Sequence, residues 1–102
     1  MSIEKLKVGE TVVIASTILD MIATFKKLGY KVEDRKELKN AKKTVLFTDK
    51  NMQAEAEKIL GRKYGAKKMK RKDDRDIWRT LDAEVHMRRV PKGSIIEILV
   101  GK

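Results

Sequence analysis

The sequence predicts an α+β fold in which two similar helix–β-hairpin units share one core and one antiparallel sheet. The most apolar run, residues 95–100, follows a Pro-Lys-Gly turn at 91–93, and this arrangement is typical of a β-hairpin. A second apolar run at 44–47 follows a turn at 39–41. A chain of 102 residues can build one core, so we expect a single domain.

Four residues recur in the same order and spacing in the two halves of the chain. They indicate an internal duplication, with units at about 10–49 and 50–102 of a domain that spans residues 1–102. Phe25 and Trp78 would then occupy equivalent places in the core. The matched sets are Phe25, Leu28, Val32 and Arg35 in the first unit and Trp78, Leu81, Val85 and Arg88 in the second.

The first unit is predicted to contain a strand and a helix before its hairpin. We expect a loose arm or edge strand over 1–9 and, from its β-branched residues, a short strand over 11–15. Ser16 can cap a helix over 16–28, which Gly29 ends in the left-handed conformation. The predicted inward face of this helix carries Leu19, Ile22, Phe25 and Leu28.

The first hairpin is predicted to pair residues 30–38 with residues 42–48. Because alternate residues of a strand share one face, we expect Val32, Val45 and Phe47 to face the core. The polar residues between them are expected to face water.

The second unit is predicted to begin with a helix over 50–64, capped by Asp49. A third helical stretch is predicted over 73–81, and whether the region 50–81 forms one helix or two stays open. The strand 95–100 is apolar on both faces, which predicts a central place in the sheet. The residues expected to face inward from the two helical stretches are Met52, Ala56, Ile59, Leu60 and Tyr64, and then Ile77, Trp78 and Leu81.

The charge of the chain is large and unevenly distributed. Charged residues make up 39% of the sequence, the net charge is +10, and a run over 62–72 contains seven cations and no acidic residue. Such a run can bind phosphates or an acidic partner. It can equally be the solvated surface of a heat-stable protein, in which lysine and glutamate are enriched.

The residues that usually carry catalysis or bind metal are few. The chain has no cysteine, which excludes disulfides and thiolate sites, and its one histidine, His86, is expected to face solvent on a strand. Asp73, Asp74 and Asp76 could hold Mg²⁺, but carboxylates at a helix start explain them more simply. We therefore predict no enzyme activity, no metal and no cofactor.

The longest uncharged stretch is too short to cross a bilayer, and the first residues do not resemble a secretory signal. These features predict a soluble, cytoplasmic protein that does not bind membranes. The sequence leaves open whether it is a monomer or a homodimer.

Two resemblances to known proteins can be described. The frames KLGYKVEDRKEL and KYGAKKMKRK, followed by PKGSIIEILVG, resemble a family of small uncharacterised α+β proteins of plastids, cyanobacteria and other bacteria. In size, lysine content and the repeated Phe25 and Trp78 sets, the chain is similar to the small orphan proteins of Acidianus filamentous viruses. The second resemblance implies a heat-stable protein of an archaeal virus, within the host cytoplasm, with no known enzyme activity.

We predict from these features a non-catalytic interaction module that binds a protein or peptide partner in a groove between its two halves. The residues expected to line this groove are Val45, Phe47, Ile96 and Ile98. The alternative is sequence-nonspecific binding of nucleic acid through the basic run. In that case the binding residues are Arg62, Lys63, Lys67, Lys68, Lys70, Arg71 and Lys72.

Overall fold

A computed structural model describes residues 8–81 and 83–101, with side chains from Thr17 onward. Within these residues the chain forms two helices and six strands. The elements in chain order are α1 (Val8–Leu28), β1 (Lys31–Glu37), β2 (Ala41–Thr48), α2 (Gln53–Lys63), β3 (Lys67–Lys68), β4 (Asp76–Arg79), β5 (Glu84–Val90) and β6 (Gly93–Gly101).

The strands form one antiparallel sheet in the order β1-β2-β6-β5-β4-β3. The predicted α+β class and both predicted hairpins, β1–β2 and β5–β6, are confirmed, and β6 is central as its two apolar faces predicted. The β1–β2 hairpin follows α1 directly, whereas β3 and β4 lie between α2 and the β5–β6 hairpin, and pairing of β2 with β6 joins the two hairpins. Two helix–hairpin units are compatible with this topology, while the duplication itself stays a prediction.

Helix α1 is longer than predicted. It begins at Val8, so the strand expected over 11–15 and the helix start expected at Ser16 are wrong. β-branched residues have only slightly lower helix propensity, and a long helix propagates through them. The predicted C-terminus is confirmed: Gly29 has φ +112°, and the N–H of Tyr30 donates to the carbonyl of Phe25 at 3.1 Å. The predicted arm over 1–9 lies largely outside the described residues.

Helix α2 is shorter than the predicted 50–64. Its N-cap is Met52, without a side-chain capping bond, so the cap predicted at Asp49 is wrong. The predicted inner face is confirmed, because Ala56 and Leu60 are fully buried and Tyr64 packs against the same core.

The helical stretch predicted over 73–81 is wrong. Asp73 and Asp74 have φ values of +52° and +61° and form a two-residue turn, across which Lys72 and Arg75 exchange backbone hydrogen bonds of 2.9 and 3.1 Å. Positive φ at both central residues is the type I′ geometry that joins two antiparallel strands. The following residues form β4, whose Trp78 pairs with Val85 of β5.

Phe25 and Trp78 therefore do not occupy equivalent places, since the first lies on a helix and the second on a strand. Phe25 is fully buried, as predicted, and its ring centroid lies 6.0 Å from that of Tyr30. Trp78 is only partly buried, and its Nε1–H donates to Glu57 Oε2 at 2.9 Å. Leu81, predicted to be inward, is completely exposed, and Leu19 of α1 is 63% exposed.

The core lies between the two helices and one face of the sheet. It is built mainly from apolar side chains of α1, α2, β2, β5 and β6. Its buried members are Met21, Ile22, Phe25, Tyr30, Leu46, Ala56, Leu60, Ala66, Ala83, Val85, Met87, Ile96 and Ile98.

Candidate functional site

The register of the strands sorts their side chains onto two faces. On the face beneath the helices, here called the covered face, Ile96 stands between Leu46 and Met87, and all three are fully buried. On the opposite face, here called the open face, Ile95 stands between Phe47 of β2 and Arg88 of β5. These open-face side chains are partly exposed.

The residues predicted to line a peptide groove are divided between these faces. Ile96 and Ile98 are 0% and 1% exposed and belong to the core. Val45 and Phe47 are partly exposed on the open face, so their predicted direction toward the core is wrong, whereas Val32 does pack against the core. The neighbour Leu46 takes the core position instead. The four residues do not form one groove.

The basic run lies at one edge of the sheet. Arg62 and Lys63 end α2, Lys67 and Lys68 form the edge strand β3, and the remaining residues lead to the turn at 73–74. All seven side chains lie in exposed residues. We call this segment, residues 62–72, the basic edge. It is not one continuous helix, so helical spacing does not determine which of its cations lie together.

Three cations of the basic edge bind carboxylates of the same chain. Lys63 Nζ lies 3.0 Å from Asp20 Oδ2, and Lys68 Nζ lies 3.4 Å from Glu57 Oε2. Arg71 also pairs with a carboxylate, since its Nε lies 3.8 Å from Asp76 Oδ1. These pairs hold the edge against α1, α2 and β4.

The other four cations of the basic edge have no such carboxylate. Within the described residues 17–81 and 83–101, none of their side chains lies within ion-pair distance of an acid. Each is exposed, so a ligand in solution can reach it. These residues are Arg62, Lys67, Lys70 and Lys72.

A cleft of about 810 Å³ opens beside the basic edge. α1 and the end of α2 form one side, and β3 together with the segment after β4 forms the other. Its walls combine polar and apolar side chains, and two cations of the basic edge, Lys63 and Lys67, contribute to them. The lining residues are Thr17, Asp20, Lys63, Tyr64, Gly65, Lys67, Met69, Arg79, Thr80 and Leu81.

Tyr64 is fixed in the wall of this cleft. Its hydroxyl donates to Asp20 Oδ2 at 2.6 Å and lies 3.1 Å from Thr24 Oγ1, while Lys63 Nζ is 5.5 Å from its ring centroid. The hydrogen bonds from Tyr64 and Lys63 lower the pKa of Asp20. The bond to Asp20 in turn raises the pKa of Lys63. Asp20 and Lys63 thus form a charged pair, and the predicted core packing of Tyr64 is confirmed.

A second charged cluster lies in the middle of the open face. Glu97 is 6% exposed, and its carboxylate contacts Lys43 Nζ at 2.6 Å and an Arg75 guanidinium nitrogen at 3.4 Å. Burial raises the pKa of Glu97, but the hydrogen bond from Lys43 and the charge of Arg75 outweigh it, and the net pKa lies below its usual value. The carboxylate is therefore ionised at neutral pH.

His86 stands opposite Glu97 on the neighbouring strand. It lies on the strand and face that the alternation predicted, but its side chain is only 15% exposed, and its Nε2 is 3.0 Å from Glu84 Oε1. The buried Nδ1 of His86 and the buried Nε of Arg88 have no hydrogen-bond partner among the described residues. One signal of this cluster is visible in the sequence, namely the single acid Glu97 within an otherwise apolar strand.

Within the described part of the chain, no three His, Asp or Glu side chains converge as metal ligands would. Asp73 and Asp74 form the hairpin turn, and Asp76 accepts a 2.6 Å hydrogen bond from Gln53 Nε2. Neither described helix combines the length and the apolar character needed to cross a membrane.

Comparison with known proteins finds no matching family model, no matching curated protein and no matching solved structure.

Proposed function

We propose that this protein binds nucleic acid without sequence preference, through the basic edge. The supporting observation is that Arg62, Lys67, Lys70 and Lys72 are exposed, belong to the basic edge and have no carboxylate within ion-pair distance among residues 17–81 and 83–101. The net charge of +10 attracts polyanions to the whole molecule. Nucleic-acid phosphates are the polyanion that such a row of cations matches.

The seven cations of the basic edge have two different tasks. Lys63, Lys68 and Arg71 hold the edge in place through carboxylates of the same chain, and the other four cations contact phosphates. Four contacts predict a slope of log K against log salt of roughly −3 to −4. Binding is therefore measurable at low salt and weak at physiological salt.

The test compares two variants of equal charge change. In the first, Lys67, Lys70 and Lys72 are replaced by Gln, and in the control the exposed Lys26, Lys58 and Lys92 are replaced by Gln. Fluorescence anisotropy with a labelled DNA duplex and a labelled single strand gives affinity against salt concentration. With the duplex, we expect the slope of log K against log salt to become less steep by about three in the first variant. In the control the slope should change much less.

Two results would contradict this function. The first is absence of binding to any duplex or single-stranded DNA or RNA by the unmodified protein at low salt. The second is an equal loss of affinity in both triple variants, because the net charge alone would then explain binding.

Binding of a protein or peptide partner is a second candidate function, and it is supported by two apolar side chains of β2. Val45 and Phe47 are apolar, partly exposed and adjacent on the open face. Ile96 and Ile98 are buried in the core, so a ligand on the open face cannot contact them directly. Apolar contacts are hardly screened by salt, so peptide binding at this place would change little between low and high salt, whereas phosphate binding falls steeply.

A further inference from the structure

The open face is continuous with the basic edge. Lys67 of β3 pairs with Arg79 of β4, and Arg79 pairs with Glu84 of β5. In the same row Glu84 pairs with Leu99, and Leu99 pairs with Lys43 of β2. Paired residues of neighbouring strands point to the same face. A chain of phosphates bound at Lys67 can therefore continue onto this face without crossing an element of the protein.

The open face carries apolar side chains that take no part in the core. They are partly buried by their neighbours, but none of them packs against the core cluster, in contrast to Trp78 or Val100. One is an aromatic ring, Phe47, which stands between Ile95 and Lys31. The apolar residues of this surface are Val45, Phe47, Ile77, Ile95 and Leu99.

The charges beside this apolar surface are mainly positive. Lys43, Arg75 and Arg88 gather around one carboxylate, that of Glu97, and all three act to lower its pKa. The buried Nε–H of Arg88 donates to no described acceptor. An anionic ligand matches this excess of cations, whereas an uncharged apolar peptide does not.

We propose that the open face binds the bases of a single-stranded nucleic acid, with Phe47 stacking on one base while the basic edge holds the backbone. This inference rests on the proposed function and names its substrate class. In a duplex the bases stack on each other and cannot lie on a sheet, whereas the unstacked bases of a single strand can. Every base has a flat π face, so this contact adds affinity without sequence preference.

The test measures the affinity of a labelled single strand and of a duplex for three proteins, at one low salt concentration. These are the unmodified protein and its Phe47→Leu and Phe47→Tyr variants. We expect Phe47→Leu to weaken single-strand binding roughly 5- to 150-fold, since stacking contributes about 1–3 kcal/mol per base. Phe47→Tyr keeps the ring and should keep the affinity, and the duplex should bind all three proteins equally.

A gain-of-binding variant gives a readout that does not depend on removing a packed side chain. Ile95 is partly exposed and pairs directly with Phe47. Ile95→Tyr adds a second ring to the same surface, and we expect it to tighten single-strand binding by roughly fivefold or more. Circular dichroism and Trp78 fluorescence show whether each variant is folded.

The outcomes separate this inference from the function on which it rests. If no nucleic acid binds the unmodified protein, the proposed function fails. If both nucleic acids bind and neither Phe47→Leu nor Ile95→Tyr changes the affinity for the single strand, only the open-face inference fails. A dimer of the unmodified protein that Phe47→Leu converts to a monomer would assign the open face to a second copy of the chain and would also overturn it.

Discussion

Ile95 and Ile96 are identical neighbours on β6, yet they lie in opposite environments. Ile96 is fully buried beneath the helices, and Ile95 is partly exposed on the open face. Both faces of this central strand are apolar, so hydrophobicity alone does not determine which one the helices cover. The difference teaches that the covering elements, and not the strand, decide which apolar residues form the core and which remain accessible to a ligand.

The polar residues of the two faces differ more clearly. On the covered face Ser94 is fully buried, and its hydroxyl lies 2.6 Å from that of Tyr30. On the open face Glu97 is a charged residue held by Lys43 and Arg75. A small neutral hydroxyl is satisfied by neutral neighbours, here the Tyr30 hydroxyl and the carbonyl of Lys50, whereas a carboxylate at this depth needs cations.

The largest expected effect comes from truncating the two isoleucines separately. Ile96→Ala should lower the free energy of unfolding by about 2–5 kcal/mol, because it leaves a cavity in the core. Ile95→Ala should lower it by roughly 1 kcal/mol or less, because water reaches the site. Urea unfolding followed by Trp78 fluorescence measures both. Equal losses would mean that the two faces are equally packed.

A smaller loss is expected when the acid of the open face is neutralised. Glu97→Gln leaves Lys43 and Arg75 without their carboxylate and should reduce the free energy of unfolding at pH 7 by about 1–3 kcal/mol. The control is Glu37→Gln on β1, whose 3.6 Å pair with Lys42 is exposed and should contribute less than about 1 kcal/mol. If the two variants unfold at the same urea concentration, the Glu97 cluster does not stabilise the fold.

The contribution of Glu97 should also depend on pH. Its pKa in the folded protein is lowered, so its stabilisation is fully present above the unfolded pKa of about 4.3 and is lost as pH falls through the folded value. The difference in unfolding free energy between the unmodified protein and Glu97→Gln should therefore shrink on acidification. Urea titrations between neutral and acid pH measure it, and a difference that grows at low pH would contradict the assigned direction.

The smallest effect is expected outside both faces, in the turn that follows the basic edge. Asp74 has φ +61°, a conformation that glycine adopts without strain. Asp74→Gly should raise the free energy of unfolding by about 0.5–1 kcal/mol, and Asp74→Ala should lower it. Thermal unfolding of the two variants measures the difference. A loss of stability in Asp74→Gly would mean that the aspartate side chain stabilises this turn.

The sequence predicted those parts of the fold whose signals are local. Gly29 ended α1 as expected, and the turns before β2 and β6 were correctly placed. The helix predicted over 73–81 is wrong because Ile77, Trp78 and Leu81 have helical spacing although they lie in a strand and the loop after it, and the Asp-Asp turn lacks the usual glycine signal. Strand β4 is stabilised mainly by pairing with β5, which the local pattern does not show.

The candidate site was only partly predictable for the same reason. The basic edge was visible as a run of cations, but the carboxylates that neutralise Lys63 and Lys68 come from distant positions, Asp20 and Glu57. The open-face cluster around Glu97 combines residues of three strands and of the segment before β4. Their proximity follows from strand order and register, which are properties of the tertiary fold.

The central place of β6 has a consequence for synthesis of the chain. The ribosome synthesises β1 and β2 well before β6. Until β6 has been synthesised, Leu46 of β2 and Met87 of β5 lack the strand that lies between them in the folded sheet. The β1–β2 hairpin is by itself marginally stable in water. The sheet therefore assembles after translation of residues 93–101, and the nascent chain presents unpaired strand edges until then, which is the stage at which a chaperone would protect it.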